Sequence, residues 1–312
     1  MKSTTLTASF LLTEPQSCER PGQAGSKLRV AFFGTPEFAA RFLSGLIDDP
    51  YFHVVGVVTQ PDEPVGRMKI LTPPPVKTLA LEKCVPVYQP TKIKDEFFLK
   101  AIEGLKADIF VIVAYGRILP QALLDMPRLG CVNVHPSKLP KYRGPSPMQA
   151  ALTAGDKQTA VTIMKIDALM DHGPILAQEE LDIADDETVA TLTDKVVALG
   201  EPLLRKTLKA FHEGNIVPVE QDHERATLCK ILTRENGKIS LSEDPIILDR
   251  KIRALNPWPG IWTLVKHDGK ELRVKILRAK LADGKLDIQE VQPEGGKPMP
   301  IADFTRGYGK LL

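Results

Sequence analysis

The chain has 312 residues, 43% of them hydrophobic and 26% charged, with a net charge of only +2. That balance describes an ordinary soluble globular protein with one large domain or two. No segment approaches the roughly 20 consecutive apolar residues of a membrane helix, so no membrane partner is expected. The four cysteines (Cys18, Cys84, Cys131, Cys229) are scattered, without the paired spacing of a metal knuckle or a redox dithiol. They read as reduced thiols, Cys84 and Cys131 in the core, and no metal site is expected.

Residues 1–27 differ from the rest: rich in Ser, Thr, Pro and Gly, with no amphipathic period. The apolar piece Ala8-Ser9-Phe10-Leu11-Leu12 is too short for a secretory core. The segment reads as a disordered extension or an upstream translation start, with no function. From 28 the grammar is regular. Residues 28–33 form a dense apolar strand ending at Gly34-Thr35-Pro36-Glu37, and Phe38, Ala39, Phe42, Leu43 and Leu46 then recur at helical spacing. A β-rich run at 53–59 precedes an irregular stretch, 60–77, long for a loop inside a compact domain and therefore a candidate functional loop. Helix is expected at 76–81, strand at 85–88, helix at 95–105, strand at 108–114, helix at 118–124 and strand at 130–135.

Strands alternating with helices, several of them continuously apolar, predict a Rossmann-like α/β fold with a mostly parallel, buried sheet. After a helix at 147–154, alternating runs at 160–167 and 175–183 predict an antiparallel edge, and 188–212 a long helix. Residues 214–225 are polar and read as a linker. Beyond them a helix at 247–255 and short strands divided by Asn236-Gly237, Asp268-Gly269 and Asp283-Gly284 predict a separate small OB-like β-barrel. The expected domains are thus the extension 1–27, a Rossmann-like domain 28–213, the linker 214–225 and a β-barrel domain 226–312. The last holds 16 Lys and Arg against 11 Asp and Glu, a net +5; the remainder, 25 against 28, carries −3. A basic module on a mildly acidic body hints weakly at a polyanionic partner.

Chemistry concentrates at Asn133-Val134-His135-Pro136-Ser137-Lys138-Leu139-Pro140-Lys141-Tyr142-Arg143-Gly144. Asn133 and His135 are two residues apart on an extended chain, so both side chains face the same way. They stand where strands of an open α/β sheet present their carboxyl ends to a ligand crevice. Some thirty residues on, Met170-Asp171-His172-Gly173-Pro174 sets a carboxylate at a turn. An amide donor, a titratable ring and a carboxylate suit a carbonyl carbon passing through a tetrahedral intermediate. The bland readings are a hydrogen-bonded strand-end histidine at 135 and a turn-capping Asp171. Gly34-Thr35-Pro36 lacks both GxGxxG and Walker spacing, which speaks against a dinucleotide site.

Taken together, Phe33-Gly34-Thr35-Pro36-Glu37-Phe38, the Asn133 to Pro140 motif, Asp171-His172-Gly173 and Arg253-Ala254-Leu255-Asn256-Pro257-Trp258-Pro259-Gly260 resemble the folate-dependent formyltransferases. The loop 64–77 and the Asn-Pro-Trp-Pro-Gly segment lean to the methionyl-tRNA formyltransferase branch. The resemblance spans 28–312 and implies a catalytic triplet of Asn133, His135 and Asp171. A folate pocket would be carried by Ala114, Tyr115, Gly116, Arg117 and Ile118 with Ser137, Lys138, Leu139 and Pro140. Arg67, Lys69 and Lys77 would contact tRNA. Lys138 departs from the pattern, which usually has an apolar residue there, and residues 1–27 lie outside it. The implied reaction moves a formyl group from 10-formyltetrahydrofolate to the α-amine of initiator methionyl-tRNA, directly, in a cytoplasmic monomer. The alternatives are a formyltransferase for a nucleotide-sugar or other small amine, and a non-catalytic RNA-binding protein.

Overall fold

The structure, a computed structural model, describes residues 10–14, 28–66 and 68–311. Its elements in chain order are β1 (Phe10–Thr13), β2 (Leu28–Gly34), α1 (Glu37–Asp48), β3 (Phe52–Val58), β4 (Glu63–Val65), β5 (Ile70–Thr72), α2 (Pro75–Glu82) and β6 (Val87–Pro90). Next come α3 (Glu96–Gly104), β7 (Ile109–Val113), α4 (Gln121–Leu124), β8 (Cys131–His135), α5 (Pro147–Ala154), β9 (Gln158–Lys165), β10 (Ile175–Asp182) and α6 (Val189–His212). The last are α7 (Pro245–Leu255), β11 (Ile261–His267), β12 (Lys270–Ala282), β13 (Lys285–Pro293), β14 (Met299–Pro300) and α8 (Ile301–Tyr308).

Eight strands form one sheet in the order β1-β6-β3-β2-β7-β8-β9-β10. The pairs β2–β3, β3–β6, β2–β7 and β7–β8 are parallel, while β8–β9 and β1–β6 are antiparallel. The mostly parallel sheet with an antiparallel edge is therefore as the apolar runs predict. Strands buried on both faces need apolar residues at every position, and β7, Ile-Phe-Val-Ile-Val, is buried throughout. On one face Ala31, Phe33, Phe110 and Ile112 pack with Phe98 and Ile102 of α3 and Leu123 of α4. Each fully buried Phe there stabilises the fold by roughly 1.5–3 kcal/mol. Chain order reverses at β2, whose neighbours are β3 and β7. In open α/β sheets that switch point opens a crevice at the strands' carboxyl ends.

Two expectations need correction. Phe10–Thr13 is not without structure: it pairs antiparallel with β6, and Phe10 packs on Tyr88 and Phe98 with ring centroids 6.2 and 5.9 Å away. One aromatic anchor and an open strand edge suffice where a wider hydrophobic pattern is missing; residues 1–9 and 15–27 of that extension lie outside the described residues. Cys131 and Cys229 are buried thiols outside any disulfide, whereas Cys84 is disulfide-bonded and half-buried, so the reduced reading fails there. Burial pushes the Cys131 thiol up to about 12.

The chain divides into two compact units, Met1–Pro140 with Ala160–Glu179 and Val196–Ala226, and Lys141–Thr159 with Glu180–Lys195 and Thr227–Leu312. In the second, β11-β12-β13-β14 form an antiparallel sheet. The hairpin turns fall at Asp268-Gly269 and Asp283-Gly284, as read from the sequence. The module expected as a small OB-like β-barrel is thus an antiparallel β-domain of four strands in that order. Val274, Ile276, Ile288 and Val291 form its core, and α8, which the sequence reading lacked, seals it with Phe304. Trp262 is held by the Arg273 guanidinium 4.0 Å above its ring and by Nε1 donating to Arg234 O at 3.0 Å. Segment 141–159 belongs here through its backbone: Arg143 N donates to Thr227 O and Arg143 O accepts from Cys229 N, each at 2.8 Å. Gly144 at φ +120° lies so close to the Cys229 carbonyl that only glycine fits.

Candidate active site

The parallel pairing of β7 and β8 puts Ile112 beside Asn133, so 114–118 and 135–140 leave the sheet at the same edge. On β8, residues 131, 133 and 135 share one face: Cys131 lies in the core under α4, and Asn133 and His135 follow it to the carboxyl end. On the neighbouring strand Thr162 pairs with His135 and Met164 with Asn133. After β9 the chain turns at 166–174 and returns as β10. That turn brings Asp171 back over β8. Asn133 Nδ2 donates to Asp171 Oδ1 at 3.3 Å, and His135 Nδ1 lies 3.6 Å from Asp171 Oδ2. Asp171, distant in sequence, thus converges with Asn133 and His135. His135 is only 3% exposed and the Asp171 side chain 16%, so the carboxylate faces the ring with little water between them.

The turn is built tightly. Asp171 has φ +48°, a left-handed conformation that Asp tolerates better than most residues. A Cβ at Gly173 would collide with the Lys165 carbonyl oxygen, so the glycine there is required by close approach. Lys165 N closes the turn by donating to Pro174 O at 2.9 Å. His172, beside Asp171, is not part of the triplet: its Nδ1 lies 2.7 Å from Asp167 Oδ2.

The expected folate residues fall in two loops. Ala114 and Gly116 hold positive φ (+46° and +82°), which turns the chain sharply at the end of β7 and leaves both exposed. Tyr115 points the other way, 2% exposed in the core, and its carbonyl accepts from Thr35 Oγ1 at 3.2 Å and Gln60 Nε2 at 3.1 Å. Burial raises the Tyr115 phenol to about 12, so it stays neutral. Arg117 donates to Pro90 O and Thr91 O, and Ile118 is 89% exposed. In the second loop Ser137 and Leu139 are buried and Lys138 is exposed. Thr162 Oγ1 donates to Ser137 O at 2.6 Å, and Gln178 Nε2 donates to Leu139 O at 3.1 Å. Thr162 and Gln178 escaped sequence reading, since strand polar residues carry no positional signal.

The stretch 60–77 contains a short hairpin, β4 with β5, that leaves Val65, Met68, Ile70 and Leu71 exposed beside an exposed Lys69 at φ +49°. Arg67 lies outside the described residues. Lys77 is committed elsewhere: its Nζ sits 2.8 Å from both Asp62 oxygens, half-buried, while Gln89 Nε2 donates to the same carboxylate. Its charge fixes the base of the loop. Among the described residues no group of three His, Cys, Asp or Glu is placed to hold a metal ion, and no helix is long and apolar enough to cross a membrane.

With this geometry in place, comparison with known proteins decides the family. The pattern of the Formyl transferase family matches residues 28–208, and that of the Formyl transferase, C-terminal domain matches 231–287. The chain belongs to the formyl transferase family. It is 41% identical over 304 residues to the methionyl-tRNA formyltransferase of Caldicellulosiruptor saccharolyticus, covering 89% of this chain and 96% of that one. To that of Myxococcus xanthus it is 40% identical over 303 residues, 91% and 96% of the two chains. Among solved structures, the methionyl-tRNA formyltransferase from Clostridium thermocellum shares the fold at TM-score 0.61, with 17% identity, 85% of this chain and 98% of that one. HypX from Aquifex aeolicus in complex with tetrahydrofolic acid shares it at TM-score 0.64 and 17% identity, over 91% of this chain and 48% of that longer one. The formyl transferase pattern covers the whole of β2 to β10, and so all three residues of the converging triplet.

Proposed function

We infer that this formyl transferase moves the formyl group of 10-formyltetrahydrofolate to the α-amino group of methionyl-initiator-tRNA, for translation initiation. The observation that carries the reading is identity of 41% and 40% over 89% and 91% of the chain to methionyl-tRNA formyltransferases, in a chain whose Asn133, His135 and Asp171 converge. The folate supplies the formyl carbon and an N10 leaving group. In the transfer the amine forms a bond to that carbon, the bond to N10 breaks, and one proton passes from the amine to the departing nitrogen.

Each residue has a task set by its chemistry. The Asn133 amide and the protonated imidazole of His135 supply hydrogen-bond donors to the oxygen that gains charge; removing one such donor typically costs about 3–4 kcal/mol. Asp171, beside the ring, holds it in orientation and favours its charged form, and takes up the amine proton through a water. We assign the transfer as direct, the amine attacking the formyl carbon with no covalent intermediate on a Ser or Cys.

The residues at the sheet edge fit a flat, hydrogen-bonding heterocycle. Ala114 and Gly116 expose main-chain groups on a sharp turn, the exposed Ile118 adds apolar surface, and 137–140 is pinned by Thr162 and Gln178. We assign tRNA contact to the β4–β5 hairpin through Arg67 and Lys69, with Lys77 anchoring its base, and to the basic module 226–312. Residues 28–213 form the catalytic domain in this assignment, and the protein acts in the cytoplasm as a monomer.

The test is to supply 10-formyltetrahydrofolate with either charged initiator tRNA or a nucleotide-sugar amine, and to follow tetrahydrofolate release. Release with the tRNA alone is the expected result. Release with the sugar amine transfers the assignment to a small acceptor, and release with neither supports a binding protein.

A further inference from the structure

Residues 219–223, in a stretch polar enough to read as linker, contact the Asp171 turn and the start of β10 at every second position. Val219 and Ile175 exchange both backbone bonds, at 2.7 and 2.9 Å, as an antiparallel bridge. Two residues on, Gln221 is 5% exposed, and its Nε2 donates to Asp171 O at 3.0 Å and to Gly173 O at 2.7 Å. Two residues further, the His223 ring stacks on His172 with centroids 3.9 Å apart and planes 7° from parallel. The period of two is that of an extended strand, so one face of the segment runs along the turn.

We propose that 219–223 is a strap that positions the catalytic carboxylate, with Gln221 as its working residue. The proposal rests on the role of Asp171 inferred above. The physical argument is one of backbone direction. Asp171 sits at φ +48°, where a non-glycine residue stays only if its surroundings hold it. The carbonyls of 171 and 173 must point the same way to share one amide, and a buried Gln with both hydrogens engaged fixes that direction. Once the clamp is lost, the turn is free to relax toward ordinary dihedrals. The carboxylate then leaves its 3.3 and 3.6 Å contacts with Asn133 and His135. Gln221 touches no reacting atom in this scheme; it acts through Asp171.

Gln221→Met keeps the size and removes the donors. Misplacing a reacting group by about an ångström can cost up to 10²-fold, so we expect kcat to fall roughly 10- to 100-fold with KM for both substrates within about twofold. In an Asp171→Asn background the same change should cost nothing further, because the group it positions is already disabled. Gln221→Glu puts a carboxylate against two carbonyls at neutral pH, while its protonated form regains one donor. The ratio of its kcat to the parent's should therefore rise as pH falls. Asp167, Asp171, His172 and His223 face this amide and its turn in both proteins, which is why the comparison is made as a ratio to the parent. Unchanged kcat, an equal loss in both backgrounds, or a flat ratio overturns the strap. If Gln221→Met does not fold, the Gln221→Glu ratio decides alone. A parent that formylates normally while Asp171→Asn also does so would mark failure of the catalytic reading instead, and the strap falls with it.

Discussion

Replacing Asp171 with Asn keeps the size of the side chain and removes its charge, so it tests the site with little disturbance to the fold. The carboxylate lies 3.6 Å from His135 Nδ1. Two unit charges at that distance interact by about 5 kcal/mol at an effective dielectric constant near 20. The Asp171 side chain is 16% exposed, so solvent screens part of this. If about 3 kcal/mol is expressed in the transition state, kcat falls roughly 10²-fold. The assay is steady-state formylation of charged initiator tRNA, with tetrahydrofolate release followed under saturation by both substrates, and thermal unfolding as the control for folding. The expected pattern is a loss in kcat with KM nearly unchanged. A variant within threefold of the parent, equally folded, refutes the claim that this carboxylate supports the reaction.

Asn133→Ala and His135→Ala should each lower kcat by at least about 10²-fold while both substrates still bind, as equilibrium titration can show. Arg67→Ala should weaken tRNA use and flatten its salt dependence by about one phosphate contact, measured as KM for tRNA across ionic strength. Asp49 offers a prediction on stability. It is 8% exposed; burial raises its pKa, but Lys209, the Tyr51 amide and Arg205 outweigh this and hold it below the usual carboxylate range. A lowered native pKa adds stability above the unfolded value, near 4, that disappears as pH drops through the native one. Asp49→Asn should therefore cost about 2 kcal/mol near neutral pH, and that cost should shrink steadily as pH falls below the unfolded value, read by denaturant unfolding across the acid range.

The sheet was legible because its strands are buried on both faces. Runs such as 109–113 need apolar side chains at every position, and the intervening helices repeat theirs at 3.6. Asn133 and His135 were legible for the opposite reason, as polar groups interrupting such a run at its carboxyl end. Asp171 could be suspected from the Gly173 and Pro174 that bound its turn, but its distance to His135 depends on how β9 returns, which no local pattern encodes. The β4–β5 hairpin was missed because its apolar residues face outward, giving no burial signal, and Pro64 argues locally against a strand. The C-terminal β-module was legible from its Asp-Gly turns, which mark where one strand ends and the next begins. Residues 217–223 looked like linker because a glutamine's amide and a backbone bridge hold them, with Val217 and Val219 left exposed.

That last segment bears on where the protein can be divided. A cut at residue 213, just past the long helix, looks natural on hydropathy grounds. It would leave Asn133, His135 and Asp171 on one piece and the amide that braces their loop on the other. A cut after Ala226 keeps both together, because the brace is complete at His223. The two shortened proteins would differ by thirteen residues and no buried apolar side chain, yet only the longer would keep the amide that the strap proposal sets against the Asp171 turn.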